Sequence, residues 1–227
     1  MTTELTWYGH AVIGIKTAGH FLLVDPYLTG NPLASTSADK LSPDYILVTH
    51  GHGDHLGDTL AIADRCGATV ISNSEIRDWL NRKGVKTHGQ HLGGGFQHPF
   101  GYLKMTFAIH GSALPDGSNG GNPCGFLLTT NDQKKIYIAG DTGLFGDMRL
   151  IGEEEIDLAL LPIGGNFTMD PDDALRAVKM INPKAVIPIH YNTFPIIRQD
   201  PQTWAERVRN ETKTAVHLLN PGDSIEL

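Results

Sequence analysis

Cysteine is nearly missing: Cys66 and Cys124 are the only two in 227 residues, and neither lies in a CxxC-type spacing. That argues against a thiolate metal site and against a disulfide framework, and both side chains are expected as reduced, buried thiols. No apolar run approaches the roughly 20 residues that a membrane-spanning helix needs. The opening Met-Thr-Thr-Glu-Leu-Thr-Trp has no basic segment leading into an apolar one, so no secretory signal is read there and a cytoplasmic location without a membrane partner is expected. Clustered Lys and Arg are missing too. Eighteen basic against 25 acidic side chains leave a formal net charge of -7, which disfavours nucleic acid as a partner, because phosphate-backbone binding rests on such clusters. Internal repeats and a Pro/Gly/Ser linker between two cores are also absent, so residues 1–227 are expected to form one domain, with homo-oligomerisation left open.

Histidine and glycine are abundant instead, at 11 and 26 residues. A surplus of His asks for a site to serve, and Gly lets loops approach a ligand closely. Apolar alternation and turn residues predict three opening strands at residues 5–8, 11–16 and 21–25, with Ala18-Gly19 turning between the last two. Tyr45-Ile46-Leu47-Val48-Thr49 then reads as a strand buried on both faces. Helices are expected over 58–66 and 74–83 around a strand near 69–71, with Ser74 as N-cap and Gly84 as stop. Further strands are expected over 102–109, 125–130, 135–139, 158–161, 185–189, near 215–218 and over 224–227. Helices at 171–181, capped by Asp170 with Pro171 first, and at 201–210 complete the pattern. Each half supplies strands plus covering helices, so the fold class is α/β, a four-layer αββα sandwich with two sheets face to face.

Directly after the buried strand stands His50-Gly51-His52-Gly53-Asp54-His55. His50 and His52 are two apart, so a continuing strand points both to one face, and Gly51 and Gly53 are read as leaving room for an ion. Asp54 and His55, from the turn that opens the next helix, add a carboxylate and a third imidazole. His110, Asp141 and His190 each follow an apolar run in the same way. Strand ends return to water, so any one of these polar residues alone has an ordinary explanation; their agreement at one edge points to a metal centre.

The pattern HxHxDH, then a separate His, a separate Asp and a last His, resembles the metallo-β-lactamase superfamily over almost the whole chain. More narrowly, Thr49 to Asp58, Gly140 to Met148, Leu161 to Met169 and Pro188 to Pro195 look like a small family of metal-dependent hydrolases within it. Trp7-Tyr8-Gly9-His10-Ala11 is more distantly similar to the ascorbate-6-phosphate lactonase and N-acyl-phosphatidylethanolamine phospholipase D branch, which often has Ser where Ala11 stands. The resemblance implies that His50, His52 and His110 bind one metal and Asp54, His55 and His190 a second, bridged by Asp141. It also implies that Asp25 orients the ligand loop.

Imidazole and carboxylate donors without thiolate suit two zinc ions, with manganese as the alternative. Two cations roughly 3.5–4 Å apart would hold a bridging hydroxide and polarise the bond it attacks. Two dications, two ligand carboxylates and one hydroxide leave about one positive charge, which favours ester-type small molecules: phosphodiesters, lactones or thioesters. The expected function is therefore a dinuclear metal-dependent hydrolase, with an RNA-processing nuclease and a non-catalytic metal-binding scaffold as the other readings. Asp54 is the catalytic candidate, as ligand and as proton acceptor. His10, Thr142 and Tyr191 join Asp25 as groups behind the ligands or facing the substrate. Residues 87–98, with His88, His91 and His98, are read as a loop near the pocket mouth, and 111–122 as a lid or surface loop.

Overall fold

In the computed structural model, which describes residues 2–227, the chain opens with antiparallel strands β1 (Glu4–Gly9), β2 (Val12–Thr17) and β3 (His20–Val24). The β2–β3 turn is Ala18-Gly19, with φ of 51° and 79°, the pair of left-handed residues that a tight hairpin turn requires. Ala11 lies in the two-residue turn with His10 between Gly9 and Val12, one position before the strand. Gly9 has φ of 108°, and a Cβ there would stand 2.5 Å from the Leu33 carbonyl oxygen, so only glycine lets β1 turn this tightly against that loop.

Next come β4 (Tyr45–Leu47), the short helix α1 (Gly53–Leu56), α2 (Thr59–Cys66), β5 (Thr69–Asn73), α3 (Ser74–Asn81) and β6 (Thr87–Gln90). Asn73, not Ser74, caps α3: its side chain accepts from the Ile76 amide at 2.9 Å. The second half holds β7 (Gly95–His98), β8 (Gly101–Phe107), β9 (Cys124–Thr130), β10 (Lys135–Ile138), α4 (Met148–Gly152), β11 (Leu158–Pro162) and α5 (Pro171–Ile181). It closes with β12 (Ala185–Ile189), α6 (Pro201–Glu211), β13 (Ala215–Val216) and β14 (Ser224–Glu226). Asp170 caps α5 as expected, accepting from the Asp173 amide at 2.8 Å.

Two seven-stranded sheets result, in the orders β14-β1-β2-β3-β4-β5-β6 and β13-β12-β11-β10-β9-β8-β7. The αββα sandwich is the expected one. Leu5, Ile13, Ile15, Phe126, Tyr137 and Leu160 belong to one fully buried cluster shared by the two sheets. That cluster continues onto α5 through Ala174, Ala177, Val178 and Ile181, whose three- and four-residue spacing makes one helix face. A second cluster packs Ile62, Ile76 and Leu80 of α2 and α3 on Ile46 and Val70. No helix among the described residues is long and apolar enough to cross a membrane.

Residues 87–98 are not a loop at the pocket mouth. Residues 87–90 and 95–98 form the edge strands β6 and β7, one in each sheet, joined by a turn at 91–94, and His88, Phe96 and His98 gather beside Tyr45 and Phe100. Tyr45 opens β4, and His98 pairs with Gly101 at the start of β8, so this cluster lies at the strand ends opposite those followed by His50 and His110.

Strand direction gathers the remaining candidates. β8 and β10 both run antiparallel to β9, and β10, β11 and β12 run parallel, so the exits of β8, β10 and β12 share one edge. Two backbone hydrogen bonds tie that edge to the first sheet: the Cys124 amide donates to the Thr49 carbonyl at 3.0 Å, and the His190 amide to the His10 carbonyl at 3.1 Å.

Candidate metal centre

At that edge the side-chain donors converge. His50 Nε2 and His110 Nε2 stand 3.0 and 3.2 Å from His52 Nδ1. Asp141 reaches both groups of histidines, with Oδ1 3.2 Å from His55 Nε2 and Oδ2 3.0 Å from His190 Nε2 and 3.4 Å from His110 Nε2. Asp54 Oδ2 lies 3.8 Å from His190 Nε2 and 3.4 Å from His10 Nε2. The donors fall into three sets of mutually close atoms: His50, His52 and His110; His50, His55 and Asp141; and His10, Asp54, His55 and His190. All seven candidates of the HxHxDH-type pattern are therefore brought together, and His10 joins them.

Asp25, at the exit of β3, is 1 % exposed and aims the ligand loop. Its Oδ1 accepts from the Thr49 amide at 2.8 Å, and its Oδ2 accepts from the Thr49 hydroxyl at 2.7 Å and from His55 Nδ1 at 2.8 Å. Because the Thr49 proton goes to Asp25, the Thr49 oxygen accepts from His50 Nδ1 at 3.0 Å. In their neutral form both imidazoles thus carry the proton on Nδ1 and turn the Nε2 lone pair toward the cluster. Thr49 has no place in the ligand pattern; the hydroxyl directly before the first His is the signal that points to it.

Thr142 supports the backbone: its Oγ1 accepts from the Ile109 amide at 3.0 Å and donates to the Gly143 carbonyl at 2.8 Å, which fixes the chain just before His110. Tyr191 is 6 % exposed and stacks on Trp7 at 5.7 Å. Burial pushes its phenol up to about 12. Thr193, also outside the pattern, pairs its hydroxyl with His10 Nδ1 at 2.8 Å.

Gly51 works differently from the expectation. A Cβ on Gly51 would press on the Ala113 carbonyl and on Leu114, both at 3.1 Å, while one on Gly53 would meet nothing within 4 Å. Gly51 therefore makes room for residues 111–122 rather than for an ion. That segment is fastened down: Leu114 is buried, Ser112 Oγ accepts from the Gly51 amide, Trp79 Nε1 donates to Asp116, and Asn73 Nδ2 donates to the Gly120 and Asn122 carbonyls. A freely moving lid does not fit those contacts.

Electrostatics follow from burial and charge. Burial opposes ionisation of Asp141, but the His190 and His55 imidazoles outweigh it and hold the carboxyl well below the usual range. Burial likewise opposes ionisation of Asp54, and the His10, His190 and His55 rings around it hold it low. Burial alone would lower His55 and His190; Asp141 with Asp25 holds His55 well above its ordinary value, and Asp141 with Asp54 raises His190 to about 9. His50 and His110 are pulled down by burial. Such mixed pulls describe carboxylates and imidazoles compressed together, a charge pattern that cations satisfy.

The residues fit metal ions on independent grounds. His55 Nε2, His190 Nε2, His10 Nε2 and Asp141 Oδ1 are buried atoms without a hydrogen-bond partner. Buried polar atoms left unpaired are costly, and here they share one volume.

The sandwich and its edge cluster define a metal-dependent hydrolase of the metallo-β-lactamase fold. The Beta-lactamase superfamily domain matches residues 20–191. The UPF0173 metal-dependent hydrolase of Pelotomaculum thermopropionicum is 49% identical over 99% of this chain and 100% of its own length, and that of Heliobacterium modesticaldum 48% identical over 99% and 97%. Igni18, described as a novel metallo hydrolase from Ignicoccus hospitalis, superposes with a TM-score of 0.92 at 37% identity, covering 100% of this chain and 99% of that one. This chain belongs to the UPF0173 metal-dependent hydrolases of the beta-lactamase superfamily.

Proposed function

We propose that the protein hydrolyses an ester-type small molecule, a phosphodiester, lactone or thioester, at a centre of two divalent ions, zinc first and manganese second. The carrying observation is the division of donors around Asp141, whose carboxylate reaches the His110 side and the His55–His190 side at 3.0–3.4 Å. Seven donors exceed what one tetrahedral ion accepts, and a shared carboxylate is how two ions are held together. When bound, the ions supply Lewis-acid polarisation and acidify water toward neutrality.

The chain's own residues do the rest. Asp54 is the carboxylate of the cluster that meets solvent, with its side chain 29% exposed against 3% for Asp141. It is held ionised by its neighbours, so it offers incoming water a charged carboxylate oxygen that accepts a hydrogen bond and orients it. Asp25 and Thr49 keep His55 and His50 from turning, so the donor set is organised before substrate arrives. A net charge of -7 with no basic cluster supports a small substrate over RNA.

The test is turnover of bis(p-nitrophenyl) phosphate and of a simple lactone by zinc- or manganese-loaded protein. We expect slow hydrolysis, abolished by full chelation, and little action on β-lactams. Loaded protein inert toward every ester, or activity that survives chelation, overturns this reading.

A further inference from the structure

Burial at His10 is complete, and the residue sits in the β1–β2 turn with φ of 55°. A non-glycine residue in the left-handed region is strained unless its surroundings hold it there. They do: its carbonyl accepts from the Trp7 indole at 3.0 Å and from the His190 amide at 3.1 Å. The ring is held as firmly. The Thr193 hydroxyl donates to the Tyr191 carbonyl at 3.4 Å, which leaves its oxygen to accept from His10 Nδ1 at 2.8 Å. That assigns the proton to Nδ1 and leaves Nε2 a lone pair, buried and without a hydrogen-bond partner.

That lone pair faces Asp54, 3.4 Å from its Oδ2, in a pairing that lacks hydrogen-bond geometry. Two donors each about 2.1 Å from one ion, at the tetrahedral angle, lie about 3.4 Å apart. His10 Nε2 also shares one volume with Asp54, His55 and His190, and its ring centroid is 4.1 Å from that of His190. We propose that His10 is an eighth protein ligand, binding the second ion through Nε2 beside Asp54, His55 and His190. This assignment rests on the two-ion reading and deepens it. The second ion then carries one more imidazole than the HxHxDH-type pattern provides, and the β1–β2 hairpin becomes part of the metal centre.

Wild-type protein, His10→Gly and His10→Asn are titrated with zinc against a competing chelator, and separately with cobalt(II) followed by visible absorption. Gly and Asn both tolerate the left-handed backbone, and retention of the first metal equivalent reports an intact fold. The expected result is a first equivalent bound as in wild type and a second weakened about tenfold or more in both variants. The absorption of the second cobalt equivalent should change, and free imidazole should restore tight binding to His10→Gly. Wild type that binds one equivalent removes the two-ion reading and this assignment together. Two equivalents in all three proteins, with unchanged dissociation constants and spectra, overturn the His10 assignment and leave the two-ion reading standing.

Discussion

Two groups of histidines lie at opposite strand ends of the same sandwich. At the edge that follows β4, β8, β10 and β12, the imidazoles stand among Asp25, Asp54 and Asp141 at hydrogen-bonding or ion-pair distances. At the other end, His98 lies flat on Phe100, with 3° between the rings, and packs against His88, Phe96 and Tyr45. Its Nε2 pairs with Gln90 Oε1 at 3.2 Å, and no carboxylate joins it. Burial, then His88, pushes His98 down to about 4, whereas Asp141 and Asp54 overcome burial and lift His190 to about 9. Six histidines gather at the first edge and His88 and His98 at the second, so imidazoles meet in both places. What separates a metal centre from an aromatic pack is negative charge buried with the imidazoles, because it offsets the desolvation of an ion.

The largest expected effect comes from removing that charge at its centre. Asp141→Ala should lower occupancy at both ion positions and reduce ester turnover on the order of a thousandfold or more. Elemental analysis with kinetics checks it, and full metal content in the variant would undo the bridging role. Asp54→Asn comes next: it should reduce turnover on the order of a hundredfold, while His88→Ala, at the other end, leaves activity unchanged. Equal losses in those two variants would erase the distinction between the ends. Asp25→Asn should weaken metal binding by about 10–100-fold through freed His55 and Thr49, without touching an ion; chelator competition measures this.

Much of this contrast is legible in the sequence, and the reason is local. His50 to His55, His110, Asp141 and His190 follow apolar runs, so strand direction alone carries them to one edge. The limits of α5 and β12 come out at 171–181 and 185–189 as expected, because Asp170-Pro171 and the run Ala185 to Ile189 are strong local signals. β6 and β7 do not emerge from the sequence, since Thr-His-Gly-Gln and Gly-Phe-Gln-His have neither apolar alternation nor a buried face of their own; edge pairing makes them strands. Nor is the role of Gly51 readable, because the atoms it makes room for belong to residues more than 60 positions away. Thr193, Thr49 and the lone pair of His10 are set by hydrogen bonds across the fold, which spacing does not encode.

The smallest effect, and the sharpest on the comparison, concerns pH. In metal-free protein the folded-state value of His190 is raised from 6.5 to about 9. Its contribution is therefore fully present below pH 6.5 and lost as pH rises through about 9. His98 has the opposite sign. Its folded-state value is lowered from 6.5 to about 4, so its contribution is present above pH 6.5 and lost as pH falls toward 4. Thermal unfolding of chelated protein should thus show stability declining on both sides of neutrality. His98→Phe keeps the stacking on Phe100 but leaves Gln90 Oε1 unpaired, which costs about 1–3 kcal/mol at neutral pH. It should make the acid side less steep, the lowered His50, His110, Asp54 and Asp141 keeping the rest of the decline, while leaving the alkaline side, the metal content and ester turnover as they are. If it altered the alkaline side instead, or changed metal binding, the two histidine groups would be coupled through the core, and buried charge would no longer be what distinguishes them.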